Sequence, residues 1–448
     1  MSKRFRDWEP DQVWLLPPSL QDLIPSGHVA HFVREVVRSG LDLGAILESY
    51  GEERGYPPYH PGMMVALLLY AYSQGVYSSR RIARGCEERL DFAAVTALQR
   101  PDFRTISDFR KRHSAALRGL FVQVLRLCRE AGLVKLGHVA LDGTKIKANA
   151  SKHKAMSYAR MIEAEPKLAA EVADWLRTAG QVDRAEDRKH GAERRGDETP
   201  DWVANKQRRL EKIREAKAAL EAEAQAAAAD QPNGGGKDPP GMPPGKACPG
   251  VRPGAQRNFT DPQSRIMKTT DGFIQGFNAQ AAVDATAQII VAETLSNQGS
   301  DCPQLVGLVE QITANLAAAP EQVSADAGYC SEDNLAALES RKIDAHIATG
   351  RHKHGAPAPQ ARPAPPQSRV AEMAAKLRAA GRQGPYRLRK QVVEPVFGQI
   401  KQARGFRQFL RRGLAAVESE WSLICTVHNL LKLAAARRSS QPTIAVAA

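Results

Sequence analysis

Three carboxylates, Asp142, Asp326 and Glu394, stand out by their neighbours. Asp142 closes the short apolar run His138-Val-Ala-Leu and is followed by Gly143-Thr-Lys. Asp326 closes Gln322-Val-Ser-Ala and is followed by Ala327-Gly328-Tyr329. Small residues beside both let a cation and a second backbone approach closely. Both runs read as strands, and strand ends that open into a crevice are where α/β sheets place ligands. If the strands are neighbours, the two carboxylates converge. Their repulsion is then relieved by a bound cation or by a raised pKa in one of them. The plainer reading of either Asp alone is a turn or cap residue after a strand.

Glu394 has a different setting. Between Tyr386 and Arg412 there are eight Lys or Arg (387, 389, 390, 401, 404, 407, 411 and 412) and one acid, Glu394. The cations suit phosphate contacts and the acid suits a metal, although one Glu in a basic helix can also simply balance charge. Lys401 follows by seven residues, two helical turns along one face. Three oxygen ligands without Cys or His point to Mg²⁺ or Mn²⁺. Two such ions activate a water or a 3′-hydroxyl on one side of a phosphodiester and stabilise the leaving oxygen on the other. No Ser/His or Cys/His constellation competes with this chemistry.

The elements that must position these groups follow from pattern. Residues up to about 135 read as helical, with His60-Pro61 opening one helix, Gly75 stopping it and Ser78 or Ser79 capping a second that carries Arg80, Arg81 and Arg84. Helix, glycine turn, helix is the outline of a DNA-reading pair and equally of an ordinary packed hairpin. A longer helix is expected from Thr105, with His113 on its apolar stripe as a core residue. Residues 150–230 read as a polar helical hairpin with a thin seam at Leu210, Ile213, Ala216, Leu220 and Ala224. Residues 230–256 are Pro/Gly-rich and read as a linker, without phosphate-loop spacing. Strands return at Gly276–Val283 and Gln288–Leu295 around the turn Asp284-Ala-Thr-Ala. Helix, strand, helix, strand follow through Ala348, then a Pro-rich basic stretch, then helices near 388–404 and 415–436. Trp421 and His428 fall on an apolar face and read as core. Asn258–Arg265 and Lys268 read as a polar loop or a DNA-facing lead-in, and His352-Lys-His354 as a solvated basic loop. The order describes a mixed sheet flanked by helices.

The net charge of +14 and pI near 9.6 favour a polyanionic partner. Six scattered cysteines without paired spacing fit reduced thiols. No signal core and no long apolar run argues for membrane or export, so a cytoplasmic, nucleoid-associated protein is expected.

At these residues the chain closely resembles DDE transposases of bacterial insertion sequences. The matching pieces are LDGTKIKANAS, VSADAGYCS and RKQVVEPVFGQIKQARGFRQFLRRG, with EWSLICTVHNLLKL similar to the family's closing helix and YHPGMMVALLLYAYSQGVYSSRRI to its N-terminal helical block. The resemblance implies an RNase H-like mixed five-stranded sheet flanked by helices, an all-α N-terminal domain and a helical insertion. It implies that Asp142, Asp326 and Glu394 are the catalytic, metal-binding triad. It implies phosphate or DNA contacts from Lys401, Arg389, Lys390, Tyr386 and Arg407. The family's Tyr-Arg-Glu-Lys signature fits Glu394 and Lys401. At the Arg step it meets Lys390 with Arg389 beside it, and Tyr386 is one position early, so two cations compete for one role. Double-stranded DNA (terminal inverted repeats and target) and a homo-oligomer on DNA are implied partners. The expected division is 1–133 N-terminal and DNA-binding, 134–153 plus 257–436 catalytic, 154–256 insertion and linker, and 437–448 tail. A nuclease that never joins strands, or a non-catalytic DNA-binding remnant, stays open as an alternative.

Overall fold

A computed structural model describes residues 19, 22, 24–51, 58–190, 201–229, 250–269, 272–350, 368–381 and 384–440. The first eighteen residues, most of the Pro/Gly-rich linker, and the stretch with His352 and His354 lie outside the described residues.

The N-terminal part is helical: α1 (Val29–Glu35), α2 (Gly44–Leu47), α3 (Pro61–Ser73), α4 (Ser79–Glu88), α5 (Leu90–Thr96), α6 (Phe103–Arg112) and α7 (Ser114–Glu130). His60 caps α3 by accepting from the Gly62 N–H at 3.1 Å, and Pro61 takes the first turn. The core of α3 is buried all round, from Met64 to Ser73, as a central helix must be. Helix α4 buries Ile82, Gly85 and Cys86 and exposes Arg80, Arg81 and Arg84. The single long helix expected from Thr105 is two. Asp102 caps α6 by accepting from the Thr105 N–H at 2.9 Å, and the chain leaves helical geometry at His113 before α7 begins. His113 is buried, within 3.1 Å of the Tyr50 hydroxyl, as a core histidine.

The main sheet has six strands among the described residues, one more than expected: β1 (His138–Lys147), β4 (Arg265–Thr269), β5 (Gly272–Asp284), β6 (Ile289–Ser296), β7 (Gln322–Ala325) and β8 (Asp344–Ile347). Strand β1 lies between β5, antiparallel, and β7, parallel; β8 runs parallel outside β7. Gly276 of β5 pairs both with Lys147 and with Arg265, so β4 and β6 share the edge of β5 away from β1. The residues Phe277–Asp284 are buried because both faces are covered. Helix α10 (Gln304–Leu316) follows β6, α11 (Glu332–Ser340) joins β7 to β8, and α12 (Arg369–Ala380), α13 (Pro385–Gly398) and α14 (Leu414–Ser440) end the described chain. Helix α12 was not expected from the sequence.

Helix α14 packs between α7 and β6, so the N-terminal helices and the sheet share one apolar core. Asn429 on α14 completes the open edge of β6: its amide donates to the Ile290 carbonyl and accepts from the Ile290 N–H, each at 2.8 Å. Gly75 (φ +70°) lets the α3–α4 turn approach Arg404, whose carbonyl would lie 2.7 Å from a Cβ there.

The insertion is a hairpin of α8 (Tyr158–His190) and α9 (Asp201–Ala229), closed at its base by the two-stranded pairing of β2 (Ala155–Ser157) with β3 (Gln256–Asn258). It has its own small core around Tyr158, Met161, Ile213 and Leu220. Of the expected seam, Ala224 is only half-buried. Arg257 and Arg265 both donate to Glu223 of α9, at 2.7 and 2.9 Å. Asn258, Asp261 and Ser264 are buried in their own turn, so the lead-in to β4 is a structural joint.

Glu293 on β6 is buried, and burial pushes its carboxyl up to about 7 against a Ser422 hydrogen bond and the Arg118 charge. The folded pKa lies above the unfolded one, so its favourable contribution is complete at low pH and is lost as pH rises through about 7. Glu293→Gln is expected to raise stability at about pH 8 by roughly 3 kcal/mol, because each tenfold change in proton affinity between the folded and unfolded chain is worth ~1.4 kcal/mol, and to change nothing at acid pH. Melting curves of both proteins at the two pH values check this; equal gains at both would remove the carboxyl as the cause.

Candidate active site

Asp142 does not end β1. The strand runs on to Lys147, and Asp142 lies mid-strand opposite Ala281 of β5. Gly143-Thr-Lys-Ile-Lys stays extended because residues 276–280 of β5 pair with it. Asp142 Oδ1 accepts from the Gly143 N–H at 2.8 Å, which orients the carboxyl. Burial and the nearby Asp326 charge push Asp142 up to about 6, although Arg389 pulls the other way.

Asp326 directly follows β7, where the parallel strand ends, and caps a short 3₁₀ turn, Ala327–Tyr329. Its Oδ1 accepts from the Gly328 N–H at 2.9 Å. Gly328 keeps the turn open: a Cβ there would stand 3.0 Å from Asp326 Oδ1 and 3.3 Å from Asp301 Oδ2.

Helix α13 lies across β1, β5 and β7. Pro395 sits inside it and lacks the N–H that would donate to the Gln391 carbonyl. The Gln288 side chain, from the β5–β6 turn, donates to that carbonyl instead at 2.9 Å. Lys432 of α14 donates to the same Gln288 side chain at 2.8 Å, and His428 Nε2 is 2.9 Å from its carbonyl. One glutamine thus ties the sheet, α13 and α14 together.

Arg389 is buried on α13 and Glu394 is half-exposed. Arg389 Nη1 donates to Asp142 Oδ2 at 2.7 Å, and Nη2 lies 3.8 Å from Glu394 Oε1. Burial opposes the Arg389 charge, but Asp142, Tyr386 and Asp326 together outweigh it and hold the pKa up. Of the two competing cations, Arg389 reaches Asp142, whereas Lys390 is exposed. Tyr386 is half-buried, its ring centre 6.0 Å from the Arg389 guanidinium carbon.

Lys401 is not two α-turns along one face from Glu394. The helix loosens into a π-turn at Gln399–Ala403, and Lys401 reaches back to β1, donating to Thr144 Oγ1 and, at 3.0 Å, to the Lys145 carbonyl. Burial and the Lys145 and Arg407 charges lower its pKa, against Asp142. Arg407 is exposed and donates to Gln402 and to the Lys401 carbonyl, away from the carboxylates. The site therefore gathers Asp142, Asp326, Arg389, Glu394 and Lys401, with Tyr386 at its margin. Lys390 and Arg407 stand outside.

Behind this group lies a second network that the sequence reading missed. Asp301 Oδ1 accepts from Lys145 Nζ at 2.9 Å, Asn278 Nδ2 at 2.6 Å and Gln280 Nε2 at 2.7 Å. The Tyr329 hydroxyl donates to Gln280 Oε1, and burial with the charges of Asp301, Asp142 and Asp326 pushes that hydroxyl well up. An acid between a strand and a helix reads as a cap, so nothing local distinguishes Asp301.

The donor chemistry is oxygen-only and suits a hard divalent cation. Among the described residues, however, no three of the Asp, Glu, His and Cys side chains stand spaced to hold one as a group. Arg389 fills the gap between Asp142 and Glu394.

Residues 18–112 match the model of a transposase domain (DUF772), and residues 250–430 match that of a transposase DDE domain. The chain belongs to the DDE-type insertion-sequence transposases. The second match takes in Asp326, Glu394 and Lys401, while Asp142 lies before it. The sheet order with its flanking helices fits an RNase H-like DDE domain. No curated protein and no solved structure matches the transposase. Among the described residues, no helix is long and apolar enough to cross a membrane.

Proposed function

We propose that this transposase cuts DNA at the ends of an insertion sequence and joins the freed 3′ ends to target DNA. The observation that carries the reading is the meeting of Asp142, Asp326 and the Glu394 helix at one place on the sheet. Asp142, Asp326 and Glu394 would hold Mg²⁺ or Mn²⁺ ions. When bound, such ions supply the positive charge that polarises a phosphodiester and acidifies an attacking hydroxyl. The residues of the chain supply the rest. Pairing with β5 and the Gly143 N–H fix Asp142, and the Gly328 turn fixes Asp326. Arg389 offers a planar fork that fits a phosphate, and Lys401 a point charge beside β1. Tyr386 flanks the approach to Arg389.

The surrounding parts take supporting roles in this reading. Residues 1–133, with Arg80, Arg81 and Arg84 exposed on α4, engage the element end. Residues 134–153 and 257–436 carry the chemistry, and 154–256 are the helical insertion and linker between them. Two copies assemble on two ends, in the cytoplasm, at the nucleoid.

A strand-transfer assay with pre-cleaved element ends and a target plasmid tests the joining step. Covalent insertion of the ends in the presence of Mg²⁺ is expected. Cleavage of uncut ends without any insertion of pre-cleaved ones would make the protein a nuclease only.

A further inference from the structure

Arg389 occupies a place that the cutting chemistry cannot leave it in. Its two Nη atoms face Asp142, at 2.7 Å, and Glu394, at 3.8 Å. Both carboxylates belong to the proposed ligand set, and each is engaged by the same guanidinium. A guanidinium keeps its charge at any ordinary pH, so it cannot make room for a cation by losing a proton. It must move. The side chain is only 9% exposed, and its buried Nε has no hydrogen-bond partner. This resting position therefore leaves a donor unspent, and a phosphate with several oxygens would satisfy it better. The Tyr386 ring, half-buried and 6.0 Å away, offers a face for the guanidinium on its way out.

We propose that Arg389 is a built-in stand-in for the cation: without DNA it bridges Asp142 and Glu394 and weakens divalent-ion binding, and a phosphate of bound DNA draws it off. The ion and the DNA then bind with positive linkage, each strengthening the other. The protein is thereby kept from arming its site away from its substrate. This inference rests on the metal-dependent reading of the site given above.

The test is Mn²⁺ binding to the full-length protein, followed by the electron paramagnetic resonance signal of free Mn²⁺. It is run with and without a short duplex cut from the element end, for wild type, Arg389→Gln and Asp326→Asn. The wild type should bind Mn²⁺ about tenfold more tightly with the duplex than without it, within the usual span of coupling between sites. Arg389→Gln should bind Mn²⁺ about tenfold more tightly than wild type without DNA, and the duplex should then add little. A variant damaged in folding would lose affinity, so a gain cannot come from damage. If Arg389→Gln binds no more tightly than wild type, or the duplex helps both equally, the stand-in role is overturned. If Asp326→Asn with duplex binds Mn²⁺ as well as wild type, the metal-site reading itself falls. Loss in Asp326→Asn with no gain in Arg389→Gln would sink the stand-in alone.

Discussion

Asp326→Asn is expected to reduce cleavage of a supercoiled plasmid carrying the element ends by on the order of 10³-fold. A metal site supplies several kcal/mol of charge stabilisation in the transition state, and ~1.4 kcal/mol corresponds to a factor of ten in rate. The substitution keeps the shape of the side chain, and its oxygen can still accept from the Gly328 N–H. The turn at Ala327–Tyr329 should therefore persist, and the melting temperature should stay close to that of wild type. Nicking and linearisation over time, read on gels with Mg²⁺, give the rate. A variant that cuts as fast as wild type would remove Asp326 from the chemistry. A variant that fails to cut but also melts early would show only that the turn had collapsed, and Asp142→Asn on the neighbouring strand would then carry the test.

Trp421→Ala should produce the largest loss of stability. Trp421 is fully buried on α14, stacks with Phe397 of α13 at a centroid distance of 6.5 Å, and donates from Nε1 to the Gln280 carbonyl at 3.1 Å. Emptying that volume costs about 3–5 kcal/mol. Trp421→Phe keeps a ring and removes the donor, so it should cost less, with about 1 kcal/mol of the loss coming from the hydrogen bond. The larger substitution should also reach the chemistry, because the Gln280 side chain holds Asp301 and receives the Tyr329 hydroxyl next to Asp326. Urea unfolding of the two variants and of wild type provides the comparison. Equal midpoints for all three would mean that α14 is not anchored through this ring.

The strands that carry the two aspartates were legible because short apolar runs lead into them, and the hairpin because Asp284-Ala-Thr-Ala separates two strand-like runs. The apolar face of α14 was legible through Trp421 and His428, and both are buried there. What local pattern hid was decided by distant partners. Gly143-Thr-Lys looks like a turn, yet it remains strand because β5 lies beside it. Strand β4 is short, and exists through its pairing with Gly272–Gly276. Which of Arg389 and Lys390 reaches Asp142 could not follow from spacing, since the helix contains Pro395 and ends in a π-turn. Asp301 was invisible because its importance lies in three donors that arrive from β1 and β5.

The two-stranded ladder at the base of the insertion bears on how the chain assembles. Strands β1 and β5 are neighbours in the sheet, yet more than a hundred positions of chain run between Lys147 and Gly276. Bringing such remote segments together carries a loop-closure cost in chain entropy and slows folding. Ala155–Ser157 and Gln256–Asn258 shorten that search, because once they zip, with α8 and α9 folded against each other, the effective tether between the two sheet strands is only a short stem at each side. The intervening helices can then vary in length without altering the entropy of closing the central sheet.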